Sequence, residues 1–288
     1  MFTLAEENGR STLARGWECA SPANDCEMIP EPIDFIRPAL RWEKRKQKAA
    51  TVFVPNVVDT ASKASIEIAS AFFRKLGVDE TEHDTPIDAG TSFEEGVAEF
   101  LRKALPLLDD RPWDVARPGR DIALSAQYSH FAKVRKLVND DPALRAAIGL
   151  DYVIKHDVTV HLPRRFDSVG KGHPQPEAPL LHASVSCKWT LRSDRAQNVR
   201  TEAAALIKHR CGRVPHIAVV TAEPTVGRIM SIAQGTGELD AVFHIALPEL
   251  IEATREAGFE KNADELGNLE AQGRLMDLRH LPALLAEW

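Results

Sequence analysis

The feature that most constrains the fold is a regular alternation of apolar and polar residues between Leu180 and Trp189. Successive side chains of a β-strand point to opposite faces of its sheet, so this pattern predicts a strand with one buried face. The predicted buried positions are Leu181, Ala183, Val185 and Cys187, and the polar ones are His182, Ser184, Ser186 and Lys188. Ser186 and Lys188 therefore share the polar face.

Further strands and helices alternate around this one. A stretch rich in β-branched residues, Tyr152 to Val160, precedes it across a Pro- and Gly-rich connection. The segments after it predict a helix at Asp194 to Lys208, a strand at Pro215 to Ala222, a helix at Thr225 to Ala233 and a strand at Ala241 to Leu247. This order is typical of an α/β fold in which helices flank a central mixed β-sheet.

The N-terminal half is predicted to be mostly helical. Apolar residues recur at helical spacing from a cap at Asp59 or Thr60 to Leu76, and again from Ser92 onward, with Glu94 in the first turn. A third helix is predicted over Ile122 to Val138, and a short fourth one from Asp141. We expect a single domain with an irregular arm (1–50), a helical part (51–150), a sheet core (151–250) and a helical C-terminal segment (251–288).

The charge balance argues against a nucleic-acid partner, because the chain carries a net charge of −6 and phosphate-binding surfaces are usually basic. Basic residues are nonetheless clustered at Arg41 to Lys48, at Arg164 and Arg165, and between Arg192 and Arg213. A local positive face can therefore exist on this acidic protein.

The N-terminal sequence MFTLAEENGRSTLARGWECA has neither a secretory signal nor a membrane span. The four cysteines lack the paired spacing of a zinc site, so we expect free thiols in a reducing compartment. Together these features predict a cytoplasmic protein with no membrane partner.

Three charged residues are candidates for catalysis. Asp157 opens a strand on the face opposite to Val158 and Val160, and pairing with the next strand can bring it to Lys188. Glu202 follows on the returning helix. Carboxylates that hold Mg²⁺, with a lysine that orients water and offsets charge on phosphate, suit the hydrolysis of a phosphodiester. Each residue also has a simpler interpretation, as a solvated strand end, an exposed strand lysine or a surface ion pair.

A second cluster, Arg192, Asp194 and Arg195, lies where the strand passes into this helix. An arginine can donate to guanine O6 and N7 in the major groove, and a carboxylate can accept from cytosine N4. The cluster could therefore recognise neighbouring G and C bases. The alternative is a helix N-terminus capped by Asp194 and flanked by two solvated arginines.

Three quoted segments carry a family resemblance: PLLHASVSCKWTLRSDRAQNVRTEA, GRVPHIAVVTAEPT and SIAQGTGELDAVFHIAL. A thinner likeness runs back through IGLDYVIKHDVTV to GTSFEEGVAEF. In these segments the sequence resembles the NgoMIV-like restriction endonucleases of the PD-(D/E)XK nuclease superfamily, and SCKW followed by RSDR is specific to that family. The resemblance implies a restriction-endonuclease-like core.

The resemblance also implies catalytic roles. It makes Asp157 the acid of the first catalytic strand and Lys188 the catalytic lysine, with Ser186 where many nucleases have an acid. Glu202, on the following helix, then supplies the acid that is absent at Ser186. Glu94 matches an acid on the helix that contains SFEE, and the main-chain carbonyl of Cys187 is a metal ligand. Two Mg²⁺ ions per active site are expected. His156 stands where the family usually has a proline.

For recognition, the resemblance implies that Arg192, Asp194 and Arg195 bind a central CCGG in double-stranded DNA. Arg228 and, more loosely, Asp25 match residues for the outer base pair, which gives GCCGGC as the expected site. Cleavage after the first base would leave four-base 5′ overhangs with 5′-phosphate and 3′-hydroxyl ends. A homodimer or homotetramer and a cognate DNA methyltransferase are the expected partners.

Three other functions remain to be compared with this one. A repair or mobile-element nuclease would keep the metal site but recognise DNA structure, which needs less base-edge chemistry than the arginine cluster supplies. A catalytically silent DNA-binding module would not need Asp157, Lys188 and Glu202. A nucleotide hydrolase is disfavoured because the sequence has no phosphate-binding loop of the G-x-x-x-x-G-K-[ST] type.

Overall fold

A computed structural model describes residues 29–47, 50–82, 87–141, 143, 146–147, 156–164, 178–235 and 237–287. The strands are β1 (Trp42–Gln47), β2 (Ala50–Pro55), β3 (Asp114–Ala116), β4 (Val158–Leu162), β5 (Leu180–Lys188), β6 (His216–Thr221), β7 (Ala241–His244) and β8 (Leu275–Asp277). The α-helices are α1 (Pro32–Ile36), α2 (Lys63–Lys75), α3 (Ala89–Leu108), α4 (His130–Asp140), α5 (Ser193–His209), α6 (Val226–Ala233), α7 (Leu247–Glu256), α8 (Glu260–Ala271) and α9 (Leu281–Glu287).

The main sheet has six strands in the order β3-β4-β5-β6-β7-β8. β4 runs antiparallel to its neighbours β3 and β5, whereas β5 to β8 run parallel to one another and are joined through helices. The expected α/β fold, a mixed sheet flanked by helices with a restriction-endonuclease-like core, is confirmed. One large apolar core joins the sheet to these helices and to α2 and α3.

The central strand β5 is covered on both faces over most of its length. Leu181, Ala183 and Val185 are buried as predicted, but His182 and Ser184 on the supposedly polar face are only 2% and 3% exposed. His182 bonds the main-chain oxygen of Leu285 in α9, because the C-terminal segment folds over this face. Only the C-terminal end of the strand keeps a polar face that is open to a ligand.

The basic stretch that we assigned to an irregular arm is part of a hairpin. β1 pairs antiparallel with β2 from Trp42 opposite Pro55 to Gln47 opposite Ala50. The expectation of irregular structure up to residue 50 was therefore wrong from Pro32 onward. Trp42 and Val54 are buried against the core while the charged residues between them stay at the surface, so apolar periodicity is weak here.

The predicted helix from Ile122 to Val138 was also wrong in its first part. Two short 3-10 turns, 122–124 and 126–128, precede α4. Asp121 accepts from the amide of Ala123 and pairs with Arg135, which closes the first turn. Gln127 points inward, where its side-chain amide bonds both main-chain groups of Leu181.

The first two helices differ from the prediction at their starts. α2 begins at Lys63 because the Ser62 hydroxyl caps it, not Asp59 or Thr60. α3 begins three residues before Ser92, because Asp88 accepts from the amide of Thr91. The Pro- and Gly-rich connection lies almost wholly outside the described residues, as do Tyr152 to Lys155, Asp25 and most of the predicted fourth helix.

α3 packs closely on α1 at Gly96. A Cβ at this position would lie 2.5 Å from the main-chain oxygen of Phe35, so only glycine allows this approach. The contact fixes the N-terminal part of α3, which carries Glu94. None of the helices in the described part of the chain combines the length and the apolar character needed to cross a membrane.

Candidate active site

Asp157 and Lys188 meet at the open end of β4 and β5. Val158 lies opposite Val185 in the antiparallel pair, so the residue before β4 comes alongside the end of β5. Lys188 Nζ is 2.7 Å from Asp157 Oδ2, and the Cys187 amide donates to the same oxygen at 2.8 Å. The side chains of Asp157 and Lys188 are 22% and 17% exposed, so the pair is accessible from one side.

Ser186 and Cys187 occupy opposite faces of the same strand end. Ser186 is partly exposed on the face of Lys188, whereas the Cys187 side chain is buried in the core at 5% exposure. Burial raises the pKa of the Cys187 thiol well above its ordinary value. The main chain of this residue, rather than its sulfur, is therefore the part available to the site.

Glu202 reaches the site from α5. Burial raises the pKa of the Glu202 carboxyl, Lys188 lowers it and Asp157 raises it. Glu202 therefore lies within electrostatic range of Lys188 and Asp157, and its role in the site stays a prediction. Burial and a second carboxylate both destabilise the ionised form of such a carboxyl group. A nearby cation stabilises that ionised form.

Glu94 reaches the site from α3. Burial and Asp157 raise the pKa of the Glu94 carboxyl, whereas Arg117 and Lys188 lower it. Arg117 holds this carboxylate, with its Nη2 and Nε at 3.2 and 3.3 Å from Glu94 Oε2. The sequence analysis did not find Arg117, and no local pattern marks it, because the pair joins positions 23 residues apart.

The donor set suits a hard divalent cation. Asp157, Glu94 and Glu202 offer carboxylate oxygens, which Mg²⁺ prefers. Within the described ranges, no three His, Cys, Asp or Glu side chains lie close enough to hold a metal ion by themselves. The other positions on an ion would fall to main-chain oxygen, phosphate and water, as is usual for Mg²⁺.

His156 and His161, which could be imagined as a metal pair, are both buried and bonded elsewhere. His156 Nδ1 lies 2.7 Å from the Ser184 hydroxyl, and His161 Nε2 lies 3.1 Å from the Ser125 hydroxyl. Burial lowers the pKa of each to about 4. They are neutral core residues and not candidate metal ligands.

The predicted base-reading residues lie beside the catalytic cluster. Arg192, Asp194 and Arg195 are exposed at the N-terminal end of α5, and Arg192 follows Lys188 by only four residues. Arg228, in the first turns of α6, lies on the same cavity of about 150 Å³ as Arg192 and Arg195. Arg228 and the pair of Arg192 and Arg195 are distant in sequence but line the same cavity.

Asp59 and Glu223 are the acidic partners of Arg228, and the sequence analysis found neither role. Arg228 pairs with Asp59 on the segment after β2, and its Nη1 lies 3.5 Å from Glu223 Oε2. Asp59 had been considered only as a helix cap. Asp25, which the resemblance loosely matches to a residue for the outer base pair, lies outside the described residues.

The mixed sheet, with the Asp157 and Lys188 pair at its open end, is consistent with the restriction-endonuclease-like class. A family model described as "NgoMIV restriction enzyme" matches residues 40–168 and 168–286. The chain is also 40% identical over 225 residues to "Type II restriction enzyme NgoMIV" of Neisseria gonorrhoeae, covering 69% of this chain and 77% of that protein. The chain therefore belongs to the NgoMIV restriction enzyme family and is a type II restriction endonuclease.

Proposed function

We propose that this enzyme hydrolyses double-stranded DNA at a palindrome with a central CCGG, most favourably GCCGGC, in a reaction that depends on Mg²⁺. The observation that carries the proposal is the contiguity of two clusters. The catalytic cluster of Asp157, Lys188, Glu94 and Glu202 includes Lys188, which precedes the exposed group of Arg192, Asp194 and Arg195 with only three residues between Lys188 and Arg192.

In this proposal Asp157, Glu202 and the Cys187 carbonyl would hold the metal, and Glu94 would contribute through water. When bound, two Mg²⁺ ions would withdraw charge from the phosphate and favour ionisation of water. Lys188 donates a hydrogen bond to the attacking water and offsets negative charge as it builds on the phosphate. Ser186 stands on the same face and can bond a second water. In-line attack then leaves 5′-phosphate and 3′-hydroxyl ends.

Recognition divides between two helices. Arg192 and Arg195 donate to guanines and Asp194 accepts from cytosine in the central four base pairs. Arg228 donates to the guanine of the outer pair, and Asp59 is its carboxylate partner on the protein side and accepts from the outer cytosine. The contact between Arg228 and Asp59 supports this assignment, because it places a donor and an acceptor together at the cavity wall.

A palindromic site is matched by a two-fold symmetric protein, so we propose at least a homodimer, and a homotetramer by family likeness. Cutting after the first base gives four-base 5′ overhangs. A cognate methyltransferase would protect the host DNA.

The decisive experiment is digestion of a sequenced plasmid with Mg²⁺, followed by mapping of the fragment ends. Discrete fragments are expected whose ends all map within GCCGGC, after its first base, with four-base 5′ overhangs. A smear would contradict the proposal, and so would ends that map to a structure rather than a sequence.

The outer base pair needs its own variant. Arg228→Ala should cut sites that differ only in the outer pair as fast as GCCGGC, because one bidentate contact contributes about 1 to 3 kcal/mol of discrimination. Arg255→Ala, which removes an exposed arginine on α7, is the matched control and should keep the original preference. Unchanged preference in Arg228→Ala would remove this residue from the recognition scheme.

A further inference from the structure

Glu223 is a fully buried carboxylate between two segments that carry the proposed base-reading residues. Its side chain is 0% exposed and follows the end of β6. Burying an ionisable group is costly unless its polar atoms are bonded, so the partners of this side chain indicate what it supports.

Those partners belong to the starts of two helices. Glu223 Oε2 accepts from the amide of Leu191 at 2.7 Å, and Leu191 immediately precedes Arg192, the N-cap residue of α5. Glu223 Oε1 accepts from the amide of Thr225 at 2.9 Å, and Thr225 is the N-cap residue of α6. One side chain therefore bonds the main chain at the entry to both helices.

The same carboxylate also contacts a base-reading side chain directly. Arg228 Nη1 lies 3.5 Å from Glu223 Oε2, while another arm of the guanidinium pairs with Asp59. The guanidinium is thereby held from two sides at the cavity that Arg192 and Arg195 also line.

A hydrogen-bonded chain links this support to the catalytic strand. The Glu223 amide donates to the Thr221 hydroxyl at 3.1 Å, and that hydroxyl donates to the main-chain oxygen of Lys188 at 2.7 Å. Thr221 is fully buried, so these bonds are shielded from water. Hydrogen bonds of Glu223 and Thr221 therefore link the end of β5 to the starts of α5 and α6.

We infer that Glu223 is a positioning residue for sequence discrimination. It holds the start of α5, which carries the residues proposed for the central base pairs, in a fixed position relative to Arg228, which is proposed for the outer pair. This inference rests on the proposed function of those residues. Loss of Glu223 should relax discrimination at the central and outer base pairs together, while the metal-dependent chemistry at Asp157 and Lys188 persists.

The test is Glu223→Gln, because an amide keeps the size of the side chain but replaces one acceptor oxygen with a donor and removes the charge. Single-turnover cleavage is measured on GCCGGC, on ACCGGT with altered outer pairs, and on GCATGC with an altered centre. We expect the preference for GCCGGC over each altered site to fall by about tenfold or more, since a bidentate contact accounts for roughly that much.

Asp277→Asn is the matched control. Asp277 is another buried carboxylate, 1% exposed, which accepts from the amides of Leu247 and Arg279 at 2.8 and 3.0 Å but lies at the end of β8. Both variants should lower Tm, and only Glu223→Gln should lower discrimination. Equal loss of cleavage on all three sites in Glu223→Gln, or retained preference, would overturn the inference.

Two further measurements keep the outcome unambiguous. Glu223→Asp retains the charge but is one methylene too short to bond both segments, so if Glu223→Gln does not fold, this variant must show the loss of discrimination or the inference fails. The wild-type enzyme is mapped first on plasmid DNA. Absence of any preferred site there would defeat the proposed function itself, whereas a wild-type preference that survives in the variants would defeat only the role of Glu223.

Discussion

Lys188 Nζ and Asp157 Oδ2 are in contact at 2.7 Å, and the same carboxylate oxygen also accepts from the amide of Cys187. The carboxylate is thus held by the strand that carries the lysine. Two chain segments 31 residues apart are joined at this oxygen. This relationship leads to a first prediction about cleavage and binding.

Lys188→Ala should bind the recognition site but not cut it. The ammonium group offsets charge that develops on the phosphate, and removing one such group costs about 10² to 10³ in rate. Binding is measured by gel shift with Ca²⁺ and cleavage on plasmid DNA with Mg²⁺. Lys208→Ala, on the exposed side of α5, is the control and should cut normally. Full activity of Lys188→Ala would remove the lysine from the mechanism.

Glu202→Gln should raise the Mg²⁺ concentration needed for half-maximal cleavage by about tenfold or more, because a neutral amide is a poorer ligand for a hard cation. Mn²⁺ binding followed by electron paramagnetic resonance gives a readout that is independent of cleavage. Glu270→Gln, on the exposed face of α8, should behave as the wild type. If the two variants bind Mn²⁺ equally well, Glu202 is not a ligand.

Stability should fall as the pH is lowered from 7 toward 4. Burial lowers the pKa of His156, His161, His182 and His244 to about 4 in the folded protein. Between about pH 6.5 and pH 4 the unfolded chain binds protons that the folded chain does not, so acid favours unfolding by up to about 1.4 kcal/mol per pH unit for each histidine. The raised pKa values of Glu94 and Glu202 act in the opposite direction.

Urea unfolding at several pH values checks this expectation. His161→Asn should reduce the slope of the unfolding free energy against pH, and His280→Asn, which alters an exposed histidine, should leave it unchanged. A slope that is the same in both variants would show that His161 binds a proton equally in the folded and unfolded states.

Gly96→Ala should destabilise the protein by about 1 to 3 kcal/mol, because the added methyl would meet the main-chain oxygen of Phe35 at 2.5 Å. Activity should fall as well, since Glu94 lies two residues away on α3. The control is Gly267→Ala inside α8, where a Cβ meets no neighbour within 4 Å and should stabilise the helix by about 0.5 to 1 kcal/mol. Equal thermal unfolding of both variants would contradict the close packing of α1 on α3.

The part of the fold that could be predicted from sequence is the part with strong periodicity. The alternation along β5 and the helical spacing of α5 predicted the strand that carries Lys188 and the helix that carries Glu202, and both elements are present. The hairpin of β1 and β2 was missed because most of its side chains are charged, and α4 was placed too early because Gln127 turns inward to bond the main chain of β5.

Three residues of the site were not found from the sequence, because their partners are not close to them in the chain. Asp59, Arg117 and Glu223 act through partners that are distant in sequence, and no local spacing marks them. Glu223 stands in TAEPT between a strand and a helix, where a carboxylate normally suggests solvent or a cap. Only the three-dimensional arrangement shows that it is buried and bonded to two separate segments.

Lys188 and Arg192 stand four positions apart along the chain, and this short link limits the distance between them. Such a stretch of backbone spans at most about 14 Å, which is roughly four base pairs along DNA. This stretch therefore sets an upper limit on the distance between the main chains of Lys188 and Arg192, the proposed catalytic lysine and the first proposed base-reading residue. Under the proposed function, exchanging the side chains of the RSDR segment would change which bases are chosen and would leave this limit unchanged.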